Sequence, residues 1–129
     1  MEKVLEKKIL IIDDSEEDRE IMMRFLSKAG YKNLCFACNG VEGIGLAKKE
    51  LPDLIILDIV MPQKDGAQVA KLLAQDTVTR NIPIIFVTSL VREGETQGGA
   101  TRVFGKPFQP EELMKKIEKT FAELPEDAA

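Results

Sequence analysis

Short apolar runs alternate with longer amphipathic stretches along this chain, and this alternation strongly limits the folds available to it. The runs predict five strands, at 9–12, 34–37, 54–57, 82–87 and 103–104. The first, third and fourth runs are apolar at nearly every position, which is typical of strands covered by helices on both faces. Strict alternation of strands and helices predicts a parallel sheet in an α/β domain.

The intervening stretches predict four helices, at 15–29, 39–50, 66–76 and 110–124. Ser15 and Asn39 are suitable N-cap residues for the first two helices. The second helix contains Gly40, Gly43 and Gly45, and each interior glycine costs roughly 1 kcal/mol relative to alanine, so we expect it to be weak. The residues expected to face the core are Ile21, Met22, Phe25, Leu26, Val69, Leu72, Leu73, Leu113, Met114, Ile117 and Phe121.

The length and net charge of the chain indicate a single domain and argue against nucleic-acid binding. A chain of 129 residues has the usual size of one domain, so we expect residues 1–129 to form a single domain, which either stands alone or was excised from a longer protein. A net charge of -4 argues against direct nucleic-acid binding, which needs clustered Lys and Arg. No run reaches the roughly 18 apolar residues of a membrane span, and we therefore expect a cytoplasmic protein.

Cys35 and Cys38 form a C-x-x-C pattern, which occurs in redox pairs and in zinc sites. A redox pair normally opens a helix, whereas these residues lie in or just after a strand-like run, where side chains three positions apart point to opposite faces. The preferred interpretation is two separate strand thiols. The chain also contains no histidine, which excludes Ser-His and Cys-His catalytic pairs and most zinc sites.

Polar residues follow four of the five predicted strands. Their identities are Asp13 and Asp14 after the first strand, Asp58 after the third, Thr88 after the fourth and Lys106 after the fifth. Each has a simple structural explanation as a cap, a strand end or a turn. The carboxyl ends of parallel strands nevertheless meet at one edge, where α/β proteins bind ligands. We therefore expect these side chains to surround one cavity.

The three aspartates need a compensating charge. Two carboxylates at about 4 Å repel each other by roughly 1 to 4 kcal/mol at effective dielectric constants between 80 and 20, so three of them require a cation or a shared proton. Mg²⁺ takes oxygen ligands octahedrally and is usually bound by one or two carboxylates, waters and a substrate phosphate. The acidic residues therefore predict a magnesium site.

Together these motifs resemble the receiver domain of two-component response regulators, including the chemotaxis regulators. The matching segments are Ile-Ile-Asp13-Asp14, Pro52 to Pro62 around Asp58, Asp65-Gly66, Thr88-Ser89 and Lys106-Pro107-Phe108. The resemblance covers nearly the whole chain. It implies a flavodoxin-like three-layer α/β sandwich, with helices on both faces of a five-stranded parallel sheet of order 2-1-3-4-5.

The resemblance also implies a function and a role for each residue. Asp58 would accept a phosphoryl group from a sensor histidine kinase or a histidine phosphotransfer protein, and the phosphorylated form would bind a downstream protein differently. Asp13, Asp14, Asp58 and the Val60 carbonyl would bind Mg²⁺. Lys106, aimed by a cis bond to Pro107, would hold the phosphoryl oxygens, and Thr88 would move onto them. The protein would then be a switch with slow self-dephosphorylation and not a metabolic enzyme.

The chain departs from the family pattern in its output region. Val103 occupies the position where the family usually has Tyr or Phe, and Phe104 is one residue away, on the opposite strand face. Thr88 and Lys106 are 18 positions apart (106 − 88), about one helical turn fewer than usual, so a further helix, which the family has between its fourth and fifth strands, should be short here. We expect signalling to use a different face or a local change in order.

Two apolar residues near the expected path of the attacking water, Val60 and Leu90, cannot orient that water by hydrogen bonding. We therefore expect a long-lived phosphoryl state.

Three other functions fit this sequence less well. A degenerate receiver would keep the fold and act only through protein contacts, but Asp58, Thr88 and Lys106 are all present. A flavodoxin-like cofactor binder should have a Ser, Thr or Gly-rich phosphate loop after the first strand, where this chain has Asp13 and Asp14. A phosphatase with an aspartyl nucleophile needs an acid/base carboxylate two residues later, where this chain has Val60.

Overall fold

A computed structural model describes residues 5–58, 66–88, 102–105 and 110–123. The strands are β1 (Lys8–Ile12), β2 (Asn33–Ala37), β3 (Leu54–Asp58), β4 (Ile84–Thr88) and β5 (Arg102–Gly105). The helices are α1 (Glu16–Lys28), α2 (Gly40–Glu50), α3 (Gly66–Gln75) and α4 (Pro110–Glu123). Each of these strands and helices was predicted, with bounds within two residues of those observed. None of these helices is long and apolar enough to cross a membrane.

All five strands are parallel and lie in the order β2-β1-β3-β4-β5, as predicted. The register pairs Leu10 with Cys35 on one side of β1 and with Ile55 on the other. The chain goes from β1 to β2 and then crosses to β3 on the far side of β1. The strand order therefore reverses between β1 and β3, which is where this class of sheet forms a ligand crevice.

Two hydrophobic layers cover the sheet, one on each face. One layer joins the sheet to α2 and α3, and the other joins it to α1 and α4. The apolar run of β1 is explained by burial on both faces. Leu10 and Ile12 belong to the first layer, whereas Ile9 and Ile11 belong to the second. The predicted three-layer sandwich is therefore confirmed, and the uniformly apolar runs are strands buried on both faces.

Two residues predicted to face the core do not. The side chain of Ile21 in α1 is 50% exposed, and that of Leu72 in α3 is 41% exposed. In α3, Val69 and Ala70 are fully buried, and Leu73 is 1% exposed. Because these residues form the buried face of the helix, Leu72 lies at the side of that face and is partly exposed. The apolar pattern thus overestimated the width of the buried stripe on both helices.

Helix α2 is continuous despite its glycines, because its start is well capped and one glycine is required for packing. The Asn39 side chain accepts a hydrogen bond from the Glu42 amide at 2.8 Å, and the Glu42 carboxylate accepts one from the Cys38 amide at 3.1 Å. Gly43 lies against β1, where an added Cβ would be 2.5 Å from the Cδ1 atom of Ile12. The close approach of α2 to the sheet therefore depends on glycine at this position.

Helix α2 ends at Leu51, whose backbone is left-handed, with φ of 50° and ψ of 60°. This conformation costs most side chains about 1–2 kcal/mol, whereas glycine adopts it freely. We expect Leu51→Gly to raise the free energy of unfolding by about 0.5–1 kcal/mol, after allowance for the greater freedom of glycine in the unfolded chain. Urea denaturation would measure the change. Leu51→Ala is the control, because it shortens the side chain but keeps the strain, and an equal gain in that variant would contradict the explanation.

Both cysteine thiols are free. Cys35 lies in β2, is half-buried and donates from Sγ to the Ile9 carbonyl at 3.8 Å, and its burial raises the pKa of the thiol. Cys38 follows the strand and is exposed. The two residues thus occupy different environments, in agreement with the interpretation as separate thiols.

Several expectations fall outside the described residues. They concern Val60, Leu90, Lys106, its bond to Pro107, and the short helix expected between β4 and β5. In β5 the register places Val103 opposite Phe86 and Phe104 opposite Val87. The aromatic residue of this strand is therefore one register position away from Val103, and the absence of the usual aromatic switch stays a prediction.

Candidate functional site

Three acidic residues converge at the carboxyl edge of the sheet, between β1 and β3. Asp13 and Asp14 directly follow β1, and Asp58 is the last residue of β3. Because Ile12 pairs with Leu57, Asp13 and Asp58 occupy corresponding positions on neighbouring strands. One carboxylate oxygen from each of the three aspartates lies within 4.8 Å of the others. The structure therefore brings together the three acidic residues to which the sequence pointed.

Asp13 is held by its backbone and by its side chain. Its amide donates to the Ala37 carbonyl at 3.1 Å, which extends the pairing of β1 with β2 by one residue. Its Oδ1 accepts a hydrogen bond from the Ser15 amide at 3.0 Å, and its carbonyl accepts one from Nη1 of Arg19 at 2.7 Å. With only 7% of its surface exposed, Asp13 is a fixed part of the site, whereas Asp14 is exposed.

Ser15 connects the acidic pair to α1. Its hydroxyl accepts a hydrogen bond from the Asp18 amide at 3.2 Å and caps the helix, as predicted, while its own amide donates to Asp13. The first turn of α1 contains Glu16, Glu17 and Asp18. These carboxylates lie at the helix end that favours negative charge. They also make the surroundings of the site more acidic.

Arg19 was missed in the sequence analysis. It lies in the second turn of α1, is half-buried, and reaches back to the Asp13 carbonyl. Its Cζ atom is 5.5 Å from the centroid of the Phe36 ring, so the guanidinium also makes a cation-π contact with β2. The sequence signal for this role is weak, because a lone basic residue on an amphipathic helix is usually a solvated one.

Asp58 and Thr88 end adjacent strands. Asp58 is 6% exposed and pairs with Val87, so the backbone of Thr88 lies one position beyond that pair, at the same edge. Thr88 pairs in turn with Gly105, the residue that precedes Lys106. Val60 and Lys106 are not among the described residues. The structure thus places Asp13, Asp14 and Asp58 together and puts the strand position of Thr88 beside them.

The acidic cluster has the donor set of a magnesium site. Its members offer carboxylate oxygens, the ligand type that Mg²⁺ prefers. Direct ligands about 2.1 Å from an octahedral ion are separated by at most about 4.2 Å. Carboxylate oxygens within 4.8 Å of one another are close enough to contact one ion, either directly or through its water ligands. Burial of Asp13 and Asp58 strengthens their mutual repulsion, which a divalent cation would offset.

Comparison with known proteins identifies relatives along most of the chain. Residues 9–118 match the model of the response regulator receiver domain family. Protein PilH of Pseudomonas aeruginosa is 38% identical over 120 residues, which cover 89% of this chain and 98% of PilH. The polar-differentiation response regulator DivK of Brucella anthropi is 31% identical over 115 residues, which cover 86% of this chain and 93% of DivK.

A solved structure agrees with the fold. The chemotaxis protein CheY4 of Vibrio cholerae superposes with a TM-score of 0.78 and 31% sequence identity, over 89% of this chain and 98% of CheY4. The five-stranded sheet of the present chain therefore has a direct counterpart among response regulators.

Proposed function

This chain belongs to the response regulator receiver domain family, whose members are signalling switches and not classical enzymes, and on that premise we propose that Asp58 is its phosphoacceptor. The observation that carries the proposal is the grouping of Asp58 with Asp13 and Asp14, within 4.8 Å, at the crevice where strand order reverses. A buried carboxylate at the end of a central strand is held rigidly, which favours attack on a phosphorus atom brought to it in line.

The proposed reaction is a transfer between two proteins. An oxygen of the Asp58 carboxylate attacks the phosphorus of a phosphohistidine, the P–N bond breaks with its electron pair returning to the imidazole, and an acyl phosphate forms on Asp58. The chain contains no histidine, so the donor belongs to another protein. We propose a sensor histidine kinase or a histidine phosphotransfer protein. Water then attacks the phosphorus and breaks the P–O bond, which restores the carboxylate and releases phosphate.

Asp13, Asp14, Asp58 and the Val60 carbonyl are the proposed holders of Mg²⁺. Bound there, the ion would neutralise the phosphoryl oxygens, which is the main requirement of phosphoryl transfer. Asp13 is suited to this role because its hydrogen bond from the Ser15 amide holds the carboxylate in position at the site. Asp14, which is exposed, can reach the ion directly or through water.

Lys106 and Thr88 complete the proposal. The Lys106 ammonium would hold the phosphoryl oxygens, and the Thr88 hydroxyl would move onto them after transfer. That movement would change the affinity for a downstream protein, in a switch formed by residues 1–129 as one domain in the cytoplasm. The strand position of Thr88 beside Val87 and Asp58 supports this role.

The decisive experiment is treatment with acetyl phosphate in the presence and absence of Mg²⁺, followed by intact-mass spectrometry. We expect the wild type to gain one phosphoryl group only with Mg²⁺ and Asp58→Asn to gain none. Asp53→Asn is a matched control, because Asp53 precedes β3 at its opposite end, and an Asn oxygen can still accept the 2.8 Å hydrogen bond from the Lys8 amide. This control should be phosphorylated like the wild type.

The same experiment tests the alternative of a degenerate receiver that acts only through protein contacts. In that case the wild type would remain unmodified with acetyl phosphate, with and without Mg²⁺. Equal modification of the wild type and Asp58→Asn would also reject Asp58 as the acceptor.

A further inference from the structure

Arg19 joins the turn that carries the acidic pair to the edge strand of the sheet. Its Nη1 donates to the Asp13 carbonyl at 2.7 Å, and its Cζ lies 5.5 Å from the centre of the Phe36 ring. The hydrogen bond is short and charge-assisted, which places it among the stronger classes of hydrogen bond. Phe36 is 47% exposed on β2, and its ring is available to the Arg19 guanidinium at the surface of the sheet edge.

We propose that Arg19, held by Phe36, is a positioning residue that sets the orientation of Asp13 and Asp14 for Mg²⁺. This inference rests on the proposed function of the same site. Arg19 contacts Asp13 through the backbone carbonyl, and this hydrogen bond does not occupy a carboxylate oxygen. The bond to the carbonyl fixes the peptide between Asp13 and Asp14, and the orientation of that peptide determines where both side chains can point.

The geometry of Arg19 favours arginine over lysine. A planar guanidinium can place one face on an aromatic ring while an N–H at its edge donates to a carbonyl. Arg19 makes one contact of each kind, a hydrogen bond to the Asp13 carbonyl and a cation-π contact with the Phe36 ring. A lysine could supply the charge and a donor, but it lacks the rigid plane that lets one group make both contacts at fixed angles. We therefore expect Arg19→Lys to restore only part of the function.

A simpler role for Arg19, as a counter-charge for the carboxylates, predicts the opposite change in Mg²⁺ affinity when Arg19 is removed. If Arg19 were only a counter-charge for the acidic cluster, its removal would make the site more negative and Mg²⁺ binding tighter. If Arg19 positions the ligands, its removal makes binding weaker, because groups that orient metal ligands typically change metal affinity by about 10-fold to 100-fold. The direction of the change therefore separates the two roles.

The test is calorimetric titration of the full chain with Mg²⁺ alone. We expect the Mg²⁺ affinity to be about 10-fold weaker in Arg19→Ala and to be partly restored in Arg19→Lys. Arg24→Ala is the charge-matched control, since Arg24 is exposed on the same helix, and its affinity should equal that of the wild type or slightly exceed it. An affinity in Arg19→Ala that is unchanged or tighter would overturn the proposal.

A second measurement needs no metal. Amide hydrogen exchange in the presence of a chelator reports on the Ser15 N–H, which is hydrogen-bonded to the Asp13 carboxylate. We expect faster exchange of this amide in Arg19→Ala and in Phe36→Leu, with the exchange of the β3 amides unchanged. Unchanged Ser15 exchange in both variants would overturn the positioning role. Absence of Mg²⁺ binding in the wild type would instead count against the proposed function.

Discussion

Asp58→Asn is expected to increase the free energy of unfolding by about 1 to 3 kcal/mol in a chelating buffer, although it removes the proposed phosphoacceptor. The reason is the repulsion among three carboxylates within 4.8 Å, two of which, Asp13 and Asp58, are almost fully buried. Asparagine has nearly the same shape as aspartate and keeps one oxygen as a hydrogen-bond acceptor. The variant should therefore lose repulsion without leaving a cavity.

Magnesium should reverse this order of stability. An ion that binds only the folded wild type stabilises it by mass action, by about 4.1 kcal/mol when the free concentration is about 1,000 times the dissociation constant, which exceeds the advantage of the variant in chelator. Asp58→Asn lacks one of the proposed charged ligands and should gain little. Urea denaturation followed by circular dichroism, in a chelator and in excess Mg²⁺, would measure both effects.

Asp53→Asn is again the control for the Mg²⁺ effect, because it removes a carboxylate from the opposite end of β3. Its stabilisation by Mg²⁺ should match that of the wild type. A lower stability of Asp58→Asn in chelator, together with an undiminished stabilisation by Mg²⁺, would show that the carboxylates are not mutually repulsive ligands of one ion.

Gly43→Ala and Gly45→Ala, two positions apart in α2, should change stability in opposite directions. A Cβ at Gly43 would lie 2.5 Å from Cδ1 and 2.9 Å from Cγ1 of Ile12, a core side chain with no exposed surface through which to move away. Overpacking of this kind typically costs about 1–3 kcal/mol. A Cβ at Gly45 has no neighbour within 4 Å, so alanine there should stabilise the helix by about 0.5–1 kcal/mol.

The glycine pair also tests the link between packing and the site, because Ile12 directly precedes Asp13. Displacement of Ile12 by Gly43→Ala should shift the acidic pair and weaken Mg²⁺ binding, whereas Gly45→Ala should leave binding unchanged. Urea denaturation and Mg²⁺ titration of both variants would measure these effects. Equal stabilities of the two variants would mean that α2 can move away from β1 at negligible cost.

The sheet was predictable because a strand that is buried on both faces has a run of consecutive apolar residues in the sequence. In β1, Ile9 and Leu10 face different hydrophobic layers, so every position is apolar. The boundary between the buried and exposed faces of a helix is less clear from the sequence. Ile21 and Leu72 extend the apolar stripe of their helices without being buried, because the width of a contact depends on how closely the neighbouring element approaches.

The glycines of α2 also show what the sequence alone cannot predict. A glycine within a helix signals a local cost, and Gly43 and Gly45 are indistinguishable on that basis. Only the position of Ile12 shows that Gly43 is required by close packing and that Gly45 is not. The left-handed end of the helix at Leu51 is equally invisible in the sequence, since glycine or asparagine is the usual residue in that conformation.

The sequence by itself determined the succession of strands and helices along the chain, the parallel sheet and the acidic residues at the carboxyl ends of β1 and β3, since these follow from local periodicity and strand-end chemistry, whereas the order of strands in the sheet was implied by the family resemblance. Only the tertiary structure showed the spacing of the three carboxylates and the contacts of Arg19 with Asp13 and Phe36. Such contacts join residues from different elements, and their distances depend on how helix and sheet pack, which no local pattern encodes.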